Sequence, residues 1–528
     1  MFRLSITTAS LLALLSLVLP QPAHGEDVPF PPIDLGYAVH VPTYVNSTAS
    51  GLKFADYKNI RFAKPPLGDL RFRKPEIPPP KQEGVQNGSA APFFRDCVSS
   101  VPPELAVPGL NGTTWGQEDC LFLNVRVPEG VKEGDNVPVL HWIFGGGYTY
   151  GSKDTGYDAV GVYDDMECPD QKFIYVASNY RLGTFGWTSS ESEDMDANVG
   201  LHDARAALEW TNAHISKFGG DPGKVTAMGQ SSGGGIIDFL LAGKEKLTFQ
   251  QAFLSSPGAF PRRNPARRQY VFDEMLKATG CGDVACLRSS TEKELIDANK
   301  YLINNLTSEK GEGAMGPGIG PYPIVDGDSI PDLLSVRFAD QKHRKDTVVS
   351  VLTGNMVNEG FGTLNPSDFL EGVREVIPNA NQSTIDRIES LYTSNQRTSD
   401  WETDVMYACN AYHAAKAYDD RAKRYIMSVP PAVHAQDLNY YFFVNETVTP
   451  VEDVKLAREF QELLRRFVTG AKHTEKFLDL PDWPTYGSEE KLVLDFTSDG
   501  IVTRLDPWEE HGRCQILHEI ISDPNNGA

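Results

Sequence analysis

The residue best suited to nucleophilic chemistry is Ser231, at the centre of the sequence Gly-Gln-Ser-Ser-Gly at positions 229–233. This G-x-S-x-G pattern is typical of a sharp strand-to-helix turn that exposes a serine nucleophile. An apolar run at 225–228 precedes the turn, and an apolar segment at 236–241 follows it. Since these flanks suit a strand and a helix, we interpret Ser231 as a candidate nucleophile for acyl transfer.

A second feature is the run of three glycines, Gly145, Gly146 and Gly147, after apolar residues 139–144. Backbone N–H groups at such a strand end can stabilise a tetrahedral oxyanion, and removing one donor typically raises the barrier by about 3–4 kcal/mol. The alternative interpretation is a merely flexible strand end. The serine turn about 85 residues downstream favours an oxyanion hole.

A nucleophilic serine needs a base and an acid, and in folds with this turn the chain order is serine, acid, histidine. Of the eleven histidines, His434 is best placed, because it follows a pair of prolines and precedes an apolar segment at 439–444 that we predict to be a strand. Glu359 follows the apolar run at 348–352, so it lies at the carboxyl end of a predicted strand. In α/β folds, active sites lie at this edge of the sheet. Surface loops also hold Glu and His, so on the residues alone both assignments stay open.

The elements that must position these residues alternate between buried strands and amphipathic helices. Helical spacing of apolar residues predicts helices over 200–218 and 454–469. Short apolar runs predict strands at 139–144, 173–177, 225–228, 249–254, 348–352 and 492–496. This alternation indicates an α/β fold with a large, mostly parallel central sheet flanked by helices. With no internal repeat or linker, residues 26–528 are predicted to form a single domain.

Composition excludes several classes of protein. The 528 residues are 40% hydrophobic and 23% charged, which suits a folded globular chain rather than a disordered or fibrous one. The formal net charge of −22 disfavours binding to nucleic acid or to anionic membrane surfaces. A glycine-rich stretch at 311–316 fits a dinucleotide-binding pattern, but it lacks the preceding strand and following helix. We interpret it as a flexible surface loop and expect no nucleotide cofactor.

The first 25 residues have the features of a secretory signal peptide: a basic Arg3, an apolar run at 11–19, and small residues at 23–25. The run is too short for a membrane span, which needs about 20 residues, and no later run is long enough. We therefore expect a secreted, extracellular product without a membrane span. Six glycosylation sequons weakly support export: Asn46, Asn87, Asn111, Asn305, Asn381 and Asn445.

Cysteine spacing also fits an oxidising compartment. Cys281 and Cys286 lie close together in a glycine-containing loop, and Cys97 and Cys120 flank a segment rich in Pro, Gly and Ser. We interpret both pairs as disulfides. A metal site is a poor alternative because the sequence has no C-x-x-C and no H-E-x-x-H motif. At least one of the three other cysteines is left over: Cys168, Cys409 and Cys514.

Taken together, the motifs resemble the type-B carboxylesterase family, which includes cholinesterases and fungal lipases of the α/β-hydrolase fold. The most specific segments are the serine turn and the sequence Glu-Asp-Cys-Leu at 118–121. Further matching segments span nearly the whole mature chain and lie at 65–68, 145–147, 179–183, 198–210, 218–222, 325–327, 359–360 and 483–486.

The resemblance implies a role for each candidate residue. It implies that Ser231 is the nucleophile, Glu359 the acid and His434 the base, and it places the oxyanion donors at Gly146, Gly147 and Ser232. It also implies the disulfides Cys97–Cys120 and Cys281–Cys286. The implied reactants are a small-molecule ester and water, with no organic cofactor and no metal.

Departures from the relatives narrow the expected substrate. Gln230 is neutral where cholinesterases commonly carry a glutamate, which disfavours choline esters. The apolar residues of the 97–120 loop are scattered, so we favour small or medium soluble esters, including an ester of specialised metabolism, over emulsified triacylglycerol. The alternatives are a triacylglycerol lipase, a catalytically inactive binding member of the fold, and an acyltransferase that uses an alcohol in place of water. The sequence makes no prediction of oligomeric state.

Overall fold

The structure is a computed structural model that describes residues 30–103, 109–154, 158–164, 166, 171–305, 320–360, 369–470 and 480–528. The predicted signal peptide, Cys168 and the glycine-rich stretch at 311–316 lie outside these ranges.

Within these ranges the strands form one large sheet and two small ones. In chain order they are β1 Ile33–Asp34, β2 Val39–His40, β3 Tyr44–Ser47, β4 Lys53–Arg61, β5 Val85–Gln86, β6 Ser99–Ser100, β7 Thr114–Trp115, β8 Phe122–Pro128, β9 Val137–Ile143, β10 Ile174–Ser178, β11 Gly220–Gln230, β12 Gln251–Ser255, β13 Ser350–Met356, β14 Ala422–Met427, β15 Leu492–Thr497 and β16 Gly500–Leu505.

The large sheet has 11 strands in the order β16-β15-β14-β13-β12-β11-β9-β10-β8-β4-β3. Its seven central strands, from β15 to β10, run parallel to one another. The outer strands β16, β8, β4 and β3 pair antiparallel. The carboxyl ends of the central strands therefore meet at one edge, where the loops after β9, β11, β12 and β13 lie close together.

Helices connect and flank these strands. They are α1 Val160–Tyr163, α2 Gly183–Trp187, α3 Val199–His214, α4 Ser232–Ala242, α5 Pro265–Thr279, α6 Val284–Ser289, α7 Glu292–Asn305, α8 Leu334–Ala339, α9 Phe369–Val376, α10 Gln382–Glu389, α11 Arg397–Thr403, α12 Cys409–Tyr418, α13 Leu438–Tyr441, α14 Val454–Thr469, α15 Pro507–Glu510 and α16 Arg513–Ser522. A single π-helical turn, Asp404–Ala408, joins α11 to α12.

Helix α14 shows how the local sequence determines where a helix begins and ends. The Asp453 side chain accepts a hydrogen bond from the Leu456 N–H at 3.1 Å and caps the first turn. Gly470, with φ of 70°, ends the helix in a left-handed conformation that glycine adopts at little cost. Between them, Leu456, Phe460, Leu463, Leu464 and Phe467 are buried. The structure thus confirms the helix predicted over residues 454–469.

The structure has a strand at each of the six predicted runs, but the prediction of a strand at 439–444 is wrong. Residues Leu438–Tyr441 form the short helix α13 instead. The N–H groups of Tyr440 and Tyr441 both donate to the Asp437 carbonyl, at 2.9 and 3.0 Å, rather than to a neighbouring strand. The consecutive aromatic side chains from Tyr440 to Phe443 are all buried. A short apolar run buried on every side has no periodicity that distinguishes a strand from a helix.

Candidate active site

Ser231 occupies the turn between β11 and α4 with φ of 54° and ψ of −126°. A non-glycine residue in such a sparsely populated conformation costs about 1–3 kcal/mol and persists only where its surroundings enforce it. Here the Ser231 N–H donates to the Ser255 carbonyl at 2.9 Å, and the Ser231 carbonyl accepts from the Gly258 N–H at 2.8 Å. The end of β12 and the loop that follows it therefore hold the strained turn.

The glycines of the turn are required by close packing. A Cβ atom on Gly233 would collide with the carbonyl oxygens of Ile143 and Phe144, and one on Gly229 would collide with the Gly233 backbone. The pattern of small residues around Ser231 thus reflects the approach of α4 to the end of β9.

His434 connects Ser231 to Glu359. Its Nε2 lies 2.9 Å from Ser231 Oγ, and its Nδ1 lies 2.6 Å from Glu359 Oε2. Glu359 is fully buried, and its other oxygen accepts hydrogen bonds from Ser256 Oγ at 2.6 Å and from the Met356 N–H at 2.7 Å. The structure therefore brings the predicted nucleophile, base and acid into one hydrogen-bonded chain.

Two further groups contact the imidazole, and sequence reasoning missed both. Gln230 Nε2 lies 3.3 Å from His434 Nε2. The Tyr407 ring stacks on the imidazole, with 4.2 Å between ring centroids and an interplanar angle of 28°. Gln230 adjoins Ser231 in the sequence, and this proximity could have indicated the contact. Tyr407 comes from the π-helical turn, which no local pattern indicated.

The predicted oxyanion residues lie beside the serine. Gly146 and Gly147 follow β9 with φ values of 122° and 57°, a conformation that suits glycine. The Gly146 carbonyl accepts from the Thr149 N–H at 3.1 Å, which closes a turn. Gly146 and Gly147 border the same cavity as Ser231 and Ser232.

This cavity has a volume of about 460 Å³, in the range typical of small-molecule sites. Its described lining includes no Asp, Glu, Lys or Arg. The aromatic lining residues are Trp115, Trp142, Phe144, Tyr148, Tyr150, Phe260, Tyr322 and Tyr407, and the polar ones beside the turn and His434 include Gln230, Asn439 and Thr449. The site can therefore enclose an uncharged, largely apolar molecule next to Ser231.

A second buried carboxyl lies near the imidazole. Asp437 accepts hydrogen bonds from Ser255 Oγ at 2.7 Å and from the Tyr425 hydroxyl. Burial raises the pKa of Asp437, the hydrogen bonds from Tyr425 and Ser255 oppose the rise, the Glu359 charge adds to it, and the resulting pKa is about 6. Asp437 therefore loses its proton at a higher pH than an exposed aspartate does.

The structure contains both predicted disulfides. Disulfides join Cys97 to Cys120 and Cys281 to Cys286, with S–S distances of 2.01 and 2.07 Å. A third disulfide, which the sequence left open, joins Cys409 to Cys514 at 2.00 Å.

All six sequon asparagines are exposed. Within the described ranges, no group of three or more His, Cys, Asp or Glu could hold a metal ion, and no helix is long and apolar enough to cross a membrane.

The mixed sheet, its flanking helices and the serine turn define the α/β-hydrolase fold. Comparison with solved structures agrees: EstA of Aspergillus niger superposes with a TM-score of 0.78 over 93% of this chain and 98% of its own, at 23% identity. The chain belongs to the carboxylesterase family, whose model matches residues 43–511. It is therefore a carboxylic-ester hydrolase.

Two relatives show how far the sequence similarity extends. Carboxylesterase patB of Aspergillus clavatus is 30% identical over 97% of this chain and 99% of its own length. A secreted triacylglycerol lipase of Gibberella zeae is 34% identical over 62% of this chain and 59% of its own length.

Proposed function

We propose that this enzyme hydrolyses small or medium, uncharged esters through an acyl-enzyme formed on Ser231. His434 accepts the Ser231 proton as Oγ attacks the ester carbonyl, and it returns that proton to the departing alcohol. Water then attacks the acyl-enzyme with His434 as base, which releases the acid and restores Ser231. Glu359 orients the imidazole and stabilises its cation.

In each tetrahedral intermediate the carbonyl oxygen carries negative charge. We propose that the backbone N–H groups of Gly146, Gly147 and Ser232 bind this oxygen. Preorganised donors at such a position stabilise the transition state more than the ground state, because charge develops only during the reaction. The N–H of Ser232 also belongs to the first turn of α4, where the helix dipole favours an anion.

The observation that carries the proposal is the continuous chain from Ser231 Oγ through His434 to Glu359, at 2.9 and 2.6 Å, on the wall of the cavity. A buried Glu359 with two other donors on its second oxygen is held in the one orientation that accepts from Nδ1. The imidazole is thereby kept in the tautomer whose Nε2 can accept the serine proton.

The proposed substrate class rests on the cavity. A volume of about 460 Å³ accommodates an acyl group and an alcohol of moderate size, and its aromatic walls favour apolar substituents. Because the described lining has no carboxylate, a cationic ester gains no ion pair there. We therefore propose neutral, soluble esters, including esters of specialised metabolites, with water as the second reactant.

The test is hydrolysis of p-nitrophenyl esters of graded acyl length by the purified enzyme. We expect short and medium chains to react fastest and Ser231→Ala to lose turnover by about 10⁶-fold. Ser232→Ala is the matched control, because it removes a neighbouring hydroxyl and keeps the backbone N–H. Equal activity of Ser231→Ala and the wild type would contradict the proposal.

A triacylglycerol lipase is the second candidate, and one feature of the surface favours it. Phe93 and Phe94 are about half exposed, and the Phe93 ring contacts Trp115, which lines the cavity, with 5.8 Å between ring centroids. Exposed apolar side chains at a cavity mouth can adsorb to an oil surface. A sharp rise in rate when a triacylglycerol passes from solution into emulsion would favour the lipase. No rise, together with preference for short soluble esters, would exclude it.

We further propose that residues 1–25 are a cleaved signal peptide and that residues 26–528 form one secreted domain. Three disulfides and the secreted lipase relative support this location. N-terminal sequencing of protein recovered from the medium should begin near residue 26. A mass decrease on treatment with an N-glycosidase would indicate that some of the six sequons are occupied.

A further inference from the structure

The inference concerns how the imidazole of His434 is held, and it rests on the proposed function. Contacts at Nδ1 and Nε2 fix two points on opposite edges of the ring. The N–H group and the lone pair of an imidazole lie in the ring plane, so these bonds hold the ring firmly against in-plane movement but only bend when the ring moves out of its plane. A contact on the face of the ring opposes that out-of-plane movement directly.

Tyr407 supplies this contact. Its ring lies nearly parallel to the imidazole at 4.2 Å between centroids, and its side chain is buried. An aromatic face carries negative electrostatic potential, so it attracts a cation placed against it. The imidazole becomes a cation each time it accepts the serine or water proton. The stack therefore favours the charged state of His434 as well as its orientation.

The π-helical turn that carries Tyr407 is anchored to the serine side of the site. The Met406 carbonyl accepts from Asn410 Nδ2 at 2.8 Å and from the Ala259 N–H at 3.2 Å. Asn410 Nδ2 also donates to the Pro257 carbonyl at 3.1 Å. These bonds tie the turn to the loop after β12, which also supports Ser231 and Glu359.

The same turn is fixed at both ends by the C-terminal helices. At its start, the Asp404 carboxylate accepts from Trp508 Nε1 at 2.7 Å and from Arg513 Nε at 2.6 Å. Directly after its end, Cys409 is disulfide-bonded to Cys514 of α16. Single π-turns within α-helices occur frequently at functional sites. Here the anchors lie on both sides of Tyr407 in the sequence.

We propose that Tyr407 is a positioning residue, held by the π-helical turn Asp404–Ala408, which opposes out-of-plane movement of the His434 imidazole and stabilises its cation during acyl transfer. The proposal assigns no bond making or breaking to the tyrosine hydroxyl. The aromatic face is the essential feature, so phenylalanine should replace tyrosine and an aliphatic residue should not.

The experiment compares Tyr407→Leu with the matched variant Tyr407→Phe on a soluble p-nitrophenyl ester. We expect Tyr407→Leu to lower kcat by roughly 3- to 30-fold with KM changed less than about threefold, and Tyr407→Phe to stay within about twofold of the wild type. The acidic limb of the kcat/KM profile should move to lower pH in Tyr407→Leu, because the imidazole cation is less stabilised. It should not move in Tyr407→Phe.

Other ionisable groups lie near Tyr407 and His434, and their effects on the pH profile must be distinguished from the effect of Tyr407. Glu359 contacts Nδ1, and the Asp437 carboxyl, with a pKa raised by burial to about 6, interacts with His434. On the Tyr407 side, burial raises the pKa of Glu402 to about 9, so it is neutral over the range tested. The profile is therefore also measured in an Asp437→Asn background, where the shift caused by Tyr407→Leu should persist.

A readout that needs no turnover separates this inference from the proposed function. The proton shared by His434 Nδ1 and Glu359 should give a low-field NMR resonance whose pH titration reports the imidazole cation directly. A lower midpoint in Tyr407→Leu, unchanged in Tyr407→Phe, supports the inference even if the ester substrate has been misjudged. Equal effects of the two variants on kcat and titration, or an effect of Tyr407→Leu on KM alone, would overturn it.

Discussion

Replacing Glu359 with glutamine tests the orientation of His434 at constant side-chain shape. The glutamine has one acceptor oxygen and one NH₂ group, whereas Glu359 uses both oxygens as acceptors. One oxygen accepts from Met356 N–H and Ser256 Oγ, and the other accepts from His434 Nδ1. Because the Met356 N–H can only donate, the glutamine oxygen should face it, which turns the NH₂ group toward Nδ1.

An NH₂ group at Nδ1 selects the tautomer that carries its proton on Nε2. That nitrogen then cannot accept from Ser231 Oγ, which lies 2.9 Å away in the native site. A forced tautomer of this kind lowers kcat by about 10⁴-fold in serine hydrolases, which corresponds to about 5 kcal/mol of transition-state stabilisation. Since the two side chains have the same shape, the thermal midpoint should change by only a few degrees.

The assay is steady-state hydrolysis of a p-nitrophenyl ester, with thermal unfolding measured on the same samples. Ser256→Ala is the comparison variant, because it removes one hydrogen bond to Glu359 and leaves the Nδ1 contact intact. We expect it to cost less than about tenfold. If Glu359→Gln retained activity within tenfold of the wild type while folding normally, the reasoning about the tautomer would be refuted.

Three further predictions follow from other contacts. Gln230→Glu places a carboxylate near His434 Nε2 and should move the acidic limb of the pH–rate profile upward by about one unit, whereas Gln230→Met should not. Asp437 has a folded pKa of about 6, above its unfolded value near 4, so its contribution to stability is present below pH 4 and lost as pH rises through 6. Denaturant titrations should therefore show that, between pH 4 and 7, the free energy of unfolding of Asp437→Asn rises by about 3 kcal/mol relative to that of the wild type. The same dependence of the free energy of unfolding on pH in both proteins would contradict this. Gly233→Ala should lower both the thermal midpoint and the ester hydrolysis rate because its Cβ meets two carbonyl oxygens, whereas Gly223→Ala on the exposed part of β11 should leave both nearly unchanged.

Local sequence predicted the parts of the site that depend on short segments. The turn at Ser231 could be identified because its tight geometry demands small neighbours and a strand-to-helix context within a dozen residues. The chain order of nucleophile, acid and base then limited the candidates for Glu359 and His434. Their convergence follows from parallel strands whose carboxyl ends share one edge of the sheet.

Features that depend on distant packing were not predictable. The strand expected at 439–444 is replaced by the short helix Leu438–Tyr441 and a non-helical stretch, because an apolar run that is buried throughout has no periodicity to indicate its structure. The Cys409–Cys514 disulfide closes a separation of 105 residues, and spacing alone does not fix connectivity across such a distance. Tyr407, which stacks on His434, lies in a π-helical turn, and no sequence pattern specifies such a turn.

The most direct test of the central claim is to trap the acyl-enzyme and locate it. The enzyme is mixed with a p-nitrophenyl ester under acidic quench, digested and mapped by mass spectrometry, with Ser231→Ala treated in parallel. We predict a burst of one p-nitrophenol per active site and a mass increase of one acyl group on the peptide containing Ser231, both absent from the variant. An acyl group on another residue, or full turnover with Ser231→Ala, would contradict the account.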